Sequence, residues 1–145
     1  MRPTVWEATM TVFVPGEPQP KGSTRAFVNK RTGRANVTND NADTKPWQAT
    51  VASFVRDNIG SAIPIPEGQV WIGLEFVMPR RKAEPKRVTP AHTRKPDVDK
   101  LARAILDSLT GLIYADDAQV VGFTRLFKRT AEIGEQPGVH IEWEA

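Results

Sequence analysis

The sequence predicts an α/β (α+β) fold, a mixed β-sheet of about four strands with two main helices packed against it. Three observations carry this. Segments of period-two apolar alternation and segments of helical spacing follow one another along the chain. The connection after Lys128 is short enough for a hairpin, which adds an antiparallel pair to the strands that intervening helices make parallel. The 145 residues, 39% of them hydrophobic, suit one core and one domain spanning 1–145.

In chain order, Met10, Val12 and Val14 share a face with Ala8, predicting a strand over Ala8–Val14. A basic loop rich in Pro and Gly follows. Trp47, Val51, Phe54 and Val55 recur at helical spacing, predicting a helix from about Lys45 to Asn58 with Thr44 as N-cap, Pro46 in the first turn and Gly60 beyond the end. Gln69–Met78 puts Val70, Ile72, Leu74, Phe76 and Met78 on one face, a strand that Pro79 stops. A second basic loop leads to a helix from about Asp97 to Leu109, with Val98, Leu101, Ala102, Ile105 and Leu109 as its stripe and Gly111 as its stop. Strands over Ala118–Lys128 and Val139–Trp143 complete the set. Trp6, Trp47, Trp71 and Trp143 fall where aromatic side chains pack in cores.

Zero cysteines exclude thiol nucleophiles, iron–sulfur clusters and cysteine zinc sites, and two histidines are too few for a histidine cage. No apolar run approaches the ~20 residues a membrane helix needs, and the N-terminus lacks a signal-peptide pattern, so a cytoplasmic protein is expected. The net charge of +3 is modest, but its distribution is not. Lys21, Arg25, Lys30, Arg31 and Arg34 form a stretch without acids, net +5. From Arg80 to Arg103, nine cations (Arg80, Arg81, Lys82, Lys86, Arg87, Arg94, Lys95, Lys100 and Arg103) face three acids, net +6. Beyond Ala104 the balance is −4. Two long basic loops are the electrostatic footprint of a polyanion such as nucleic acid, although charged loops are also simply solvated.

Two acidic sites stand against this positive background. In Lys95-Pro96-Asp97-Val98-Asp99-Lys100, residues i and i+2 share a side only where the chain is extended, so Asp97 joins Asp99 only from outside the helix. The plain alternative makes Asp97 an N-cap and Asp99 a first-turn acid answering the helix dipole. Asp116 and Asp117 repel each other at the mouth of a strand, which a turn tolerates and a bound cation explains. Hard carboxylate oxygens without Cys or clustered His match Mg²⁺, with Mn²⁺ as substitute, and no organic cofactor motif is present. Beside Lys and Arg, such acids suit phosphodiester hydrolysis. Among the remaining polar residues, Asp107 is expected to pair with Arg103 at i+4, His92 to lie on the surface, and His140 to be structural or exposed.

The ordered run Lys95-Pro-Asp97-Val-Asp99-Lys100-Leu101, Ala104-Ile-Leu-Asp107-Ser-Leu and Asp116-Asp117-Ala-Gln-Val resembles the RusA family of Holliday junction resolvases. Pro15-Gly-Glu-Pro-Gln-Pro-Lys21-Gly22 looks like that family's Pro-rich, basic start. The resemblance implies a small homodimeric, Mg²⁺-dependent endonuclease, often encoded by phages or prophages, that nicks four-way DNA symmetrically in recombination and repair. It places the catalytic acids on Asp97, Asp99 and Asp117, with Asp116 beside them. Where the family commonly has a functional lysine four residues after the second acid, this chain has Arg103, which clamps phosphate but donates protons poorly, leaving Lys100 or Lys95 to substitute.

A helix from Asp97 to Leu109 is about 20 Å long, and Asp117 lies past its far end. The connection either folds back within one chain or delivers Asp117 to a partner subunit across a two-fold axis. Two other functions stay open at this point. One is a non-catalytic nucleic-acid-binding or phage DNA-packaging accessory module whose acids only cap and turn. The other is an Asp-x-Asp transferase, which no Gly-rich phosphate loop supports.

Overall fold

Two amphipathic helices lie on one face of a four-stranded sheet. A computed structural model describes residues 10–22, 24–39 and 41–145, so Trp6 and Ala8 fall outside the described residues. The elements are β1 (Met10–Pro15), β2 (Thr24–Val28), β3 (Ala35–Asn39), α1 (Thr44–Ile59), β4 (Val70–Met78), α2 (Val98–Leu109), a short 3₁₀ turn (Asp117–Gln119), β5 (Val120–Thr130) and β6 (Gly138–Glu144).

The main sheet has the order β1-β6-β4-β5, with β6 antiparallel to both neighbours and β4 parallel to β5. A parallel pair needs a long crossover, and α2 supplies it. The mixed sheet and two helices are as expected, but the hairpin after Lys128 is not formed. Instead β6 passes over to lie between β1 and β4. Burial explains the choice. Gly138, Val139, Ile141, Trp143 and Glu144 of β6 are all buried, which demands a central strand, whereas β5 keeps Val121, Phe123, Arg125 and Phe127 exposed, as an edge strand does.

Register lines one sheet face with apolar side chains, Lys128 excepted. Leu74 sits opposite Ile141 and Leu126, Phe76 opposite Val139 and Lys128. Val14, Ile72, Leu74, Phe76 and Ile141 meet Trp47, Val51 and Val55 of α1 and Leu101, Ile105 and Leu109 of α2 in one core. α1 packs on α2 and against β1, and α2 packs on β5. On the other sheet face, Arg129 pairs with Glu135 at 2.6 Å and Glu75 at 2.7 Å, and Arg125 with Glu75 at 3.2 Å and Glu142 at 3.3 Å. Hydrogen bonding from Arg129 pulls the Glu135 carboxyl down to about 2.

Four local expectations are corrected. The first basic stretch is not a plain loop. It contains the antiparallel β2–β3 hairpin, closed where Asn29 donates to Arg34 O at 2.8 Å and where Gly33, at φ 69°, takes the left-handed turn. Thr44 is the first residue of α1 rather than its cap, because its hydroxyl donates to Pro20 O at 2.7 Å and Asp43 holds the N-cap position. Ala118 belongs to the 3₁₀ turn, since Asp116 and Gln119 cap that turn reciprocally, and the strand begins at Val120. His92 is buried at 7% exposure rather than on the surface, its ring close to the charges of Lys128 and Arg94. Burial, and then Lys128 and Arg94, lower its pKa and favour the neutral ring. His140 is half-buried, its ring 4.6 Å from that of Phe13. Trp47 and Trp143 are core residues, and Trp71 lies across Gly122.

Gly138 is required by close approach rather than by its dihedral angles. A Cβ there would meet the carbonyl oxygen of Val14 and the Phe13 ring, at the point where β6 pairs with both Pro15 and Val77. Gly138→Ala is predicted to destabilise the fold by about 1–3 kcal/mol, read as a lower midpoint in urea unfolding.

Candidate active site

Asp97 takes the N-cap position of α2 with φ −70° and ψ 141°, an extended residue just outside the helix. This is the conformation that lets it join Asp99, which lies in the first turn. Its carboxylate makes no capping hydrogen bond, so the chain does not spend it on the helix end. Both acids are exposed. The preceding peptide, Lys95-Pro96, is cis.

The Pro-rich segment before β2 is laid across this turn. Gly16 N donates to Pro137 O at 2.9 Å and Lys21 N to Lys100 O at 2.9 Å, while Pro20 O accepts from Thr44 and Asn41. The result is a cleft of about 280 Å³ lined by Pro20, Lys21, Gly22, Lys95, Asp97 and Lys100. Asp99 and Arg103 line an adjoining hollow with Lys21, Gly22 and Lys100. Arg103 stands at i+4 from Asp99, on the same side of α2. Asp107 pairs not with Arg103 but with Lys21, at 3.1 Å, because the Pro-rich segment brings that lysine over the helix. Lys21, read from sequence as one of the DNA-binding cations, therefore stands beside the acids.

Asp116 and Asp117 lie elsewhere. Asp116 Oδ1 accepts from Ala118 N at 2.9 Å, and Gln119 Oε1 accepts from Asp116 N at 2.9 Å. Gln119 in turn donates to Ile65 O and Gly68 O. The buried Tyr114 hydroxyl donates to Leu106 O at 2.7 Å, tying this corner to the end of α2; burial raises its pKa and keeps the phenol protonated. Asp117 is exposed. Lys128, near the far end of β5, bonds to carbonyls just before Asp97. The two acid pairs thus lie at opposite ends of α2, whose 12 residues span roughly 18 Å at about 1.5 Å per residue. Among the described residues, no three His, Cys, Asp or Glu side chains gather into a group that could hold a metal ion.

The basic candidates divide by what they touch. Lys30, Arg31 and Arg34 sit exposed at the tip of the β2–β3 hairpin, and Arg25 lies within β2. Lys82, Lys86 and Arg87 are exposed on the 79–96 loop. Arg80 instead donates to Pro85 O, Val88 O, Ala131 O and Thr89 Oγ1, and Arg94 and Arg81 pair with Glu84 at 3.0 and 3.5 Å. These three hold the loop together. Lys128 is a further site residue that the basic stretches do not include, and its place in an inward-facing row with Leu126 is the sequence signal that marks it.

No helix among the described residues is long and apolar enough to cross a membrane. No curated protein matches the chain. The sequence model of the family described as Endodeoxyribonuclease RusA matches residues 15–144, from the last residue of β1 through the last residue of β6. With the Pro-rich start, the Asp97-x-Asp99 turn and the Asp116-Asp117 corner all inside that match, the chain belongs to the RusA endodeoxyribonuclease family, the nucleases that resolve Holliday junctions.

Proposed function

We propose that this chain works as a homodimer that cuts branched DNA with Mg²⁺, or Mn²⁺ in its place, at sites built from Asp97 and Asp99 of one subunit and the 116–117 corner of the other. The observation that carries the reading is the α2 N-terminus: two carboxylates, one extended and unused in capping, with Lys21, Lys95, Lys100 and Arg103 around the same hollows. The donor set fits a hard divalent ion. Asp97 and Asp99 offer exposed oxygens, and Asp117 offers a third carboxylate whose neighbour Asp116 already caps the turn. When bound, such an ion supplies Lewis-acid activation of water and neutralises charge on the phosphodiester.

The chain's own residues do the rest. Arg103, with Lys21 held beside it by Asp107, binds the non-bridging phosphate oxygens and stabilises the charge that grows there as water adds to phosphorus. Lys100, or Lys95, gives a proton to the deoxyribose oxygen as its bond to phosphorus breaks, and the proton lost by the attacking water passes to solvent. Two-fold symmetry then presents equivalent sites to opposed strands of a four-way junction. The hairpin tips and the Lys82, Lys86 and Arg87 stretch track the phosphates of the arms, an interaction that positions the duplex without reading its sequence. Such an enzyme serves recombination and repair of DNA in the cytoplasm. A non-catalytic DNA-binding role does not explain why Asp97 is held at a helix start without capping it.

Two outcomes are expected. Asp99→Asn lowers Mg²⁺-dependent symmetric nicking of a fixed four-way junction by at least about 100-fold while junction binding in a gel-shift assay persists. Nicking that persists at the wild-type rate removes Asp99 from the chemistry. Replacing Lys30, Arg31 and Arg34 together by Ala is predicted to flatten the slope of log K against log salt by up to about 2.7, or ~0.9 for each phosphate that is no longer neutralised, with cleavage of saturated junction unchanged.

A further inference from the structure

Lys128 breaks the pattern of its strand. It lies opposite Phe76 and two residues from Leu126, on the sheet face that the helices cover, where an apolar side chain is the rule. Its stem is half-buried, and its ammonium donates to Arg94 O at 2.6 Å and Pro96 O at 2.8 Å. Pro96 O is the carbonyl of the peptide that leads into Asp97. On the other side of that residue, Asp97 O accepts the first helical bond, from Leu101 N at 3.1 Å. The backbone of Asp97 is therefore gripped from both sides while its carboxylate is left unspent.

The loop beneath is clamped to the same strand end. Arg94 pairs with Glu84, whose side chain is 5% exposed. Arg80 joins Pro85, Val88 and Thr89 to Ala131, just past β5, and Thr89 donates to Glu132 at 2.6 Å. With the loop fixed at these points, Lys128 reaches from β5 to the Asp97 turn itself. A charged donor on two backbone carbonyls forms strong hydrogen bonds in such half-buried surroundings.

We infer that Lys128 is a positioning residue for the ion-binding carboxylates: its ammonium sets the 94–96 backbone so that Asp97 stands beside Asp99. The inference rests on the reading of Asp97 and Asp99 as ion ligands. Groups that orient the ligands of a metal typically change its affinity by about 10–100-fold when removed, and that is the effect expected here.

The test uses the full chain and Mn²⁺ alone, titrated by electron paramagnetic resonance, with thermal unfolding of the metal-free protein beside it. Lys128→Met, which keeps the stem and loses the donors, is expected to weaken Mn²⁺ binding about 10–100-fold. Lys128→Arg, which can reach both carbonyls, is expected to restore most of that loss. Wild-type affinity in Lys128→Met, or tighter binding, with Asp99→Asn weakened overturns the role of Lys128 and leaves the ion site standing. A lower unfolding temperature in Lys128→Met with unchanged affinity likewise makes it merely structural. Unchanged affinity in Asp99→Asn removes the ion site itself. If Lys128→Met does not fold, Lys128→Gln, which keeps one amide donor, decides by the same criterion.

Discussion

Parallel pairing of β4 with β5 is the constraint from which the layout of the site follows. A strand cannot run parallel to its sequence neighbour without a crossover, and here the crossover is α2, returning along the sheet before β5 starts. The N-terminus of α2 therefore lies by the end of β5, at Lys128, and its C-terminus by the start of β5, at the Asp116–Gln119 turn. Asp97 and Asp99 occupy the first place and Asp117 the second. A single subunit holds the two halves of the acidic set apart, and the proposed two-fold dimer would reunite them.

The same topology sorts the positive charge. A near-neutral total conceals cations with different roles. Arg125 and Arg129 are committed to Glu75, Glu142 and Glu135 on the open sheet face. Arg80, Arg81 and Arg94 hold the 79–96 loop in shape, so a stretch that reads as one basic patch is partly scaffold. Two groups of outward cations stand apart from these: the hairpin tip with the exposed part of the loop, and Lys95, Lys100 and Arg103 around the acids, next to a Lys21 held by Asp107. The first suits long-range attraction of a polyanion and the second suits one phosphate at a time.

The strands and helices of the core were legible because each buries one face with an unbroken period, as in the Val70 to Met78 row of β4 and the Leu101, Ile105, Leu109 stripe of α2. Asp97 was legible too, since only an extended residue can share a side with a partner two positions on. Strand order was not. Whether β6 pairs with β5 or slips between β1 and β4 depends on how thoroughly its two faces are buried, a property of the assembled sheet rather than of a seven-residue segment. The β2–β3 hairpin escaped because five-residue strands with mixed polar residues carry little period. The Asp107 to Lys21 pairing and the Lys128 grip escaped for a common reason. Both join groups more than thirty residues apart, and local spacing has nothing to say about them.

The proposed active site is shared between two subunits. Asp97→Asn and Asp117→Asn subunits, each inactive as homodimers, can be purified with different tags, mixed, exchanged and isolated as heterodimers. If Asp97 and Asp99 work with Asp117 of the partner subunit, one site in each heterodimer carries both substitutions and the other carries none, so Mg²⁺-dependent nicking of a four-way junction returns to about half the wild-type activity. Heterodimers as inactive as either parent would contradict the account, because each in-chain site would then carry one damaged acid.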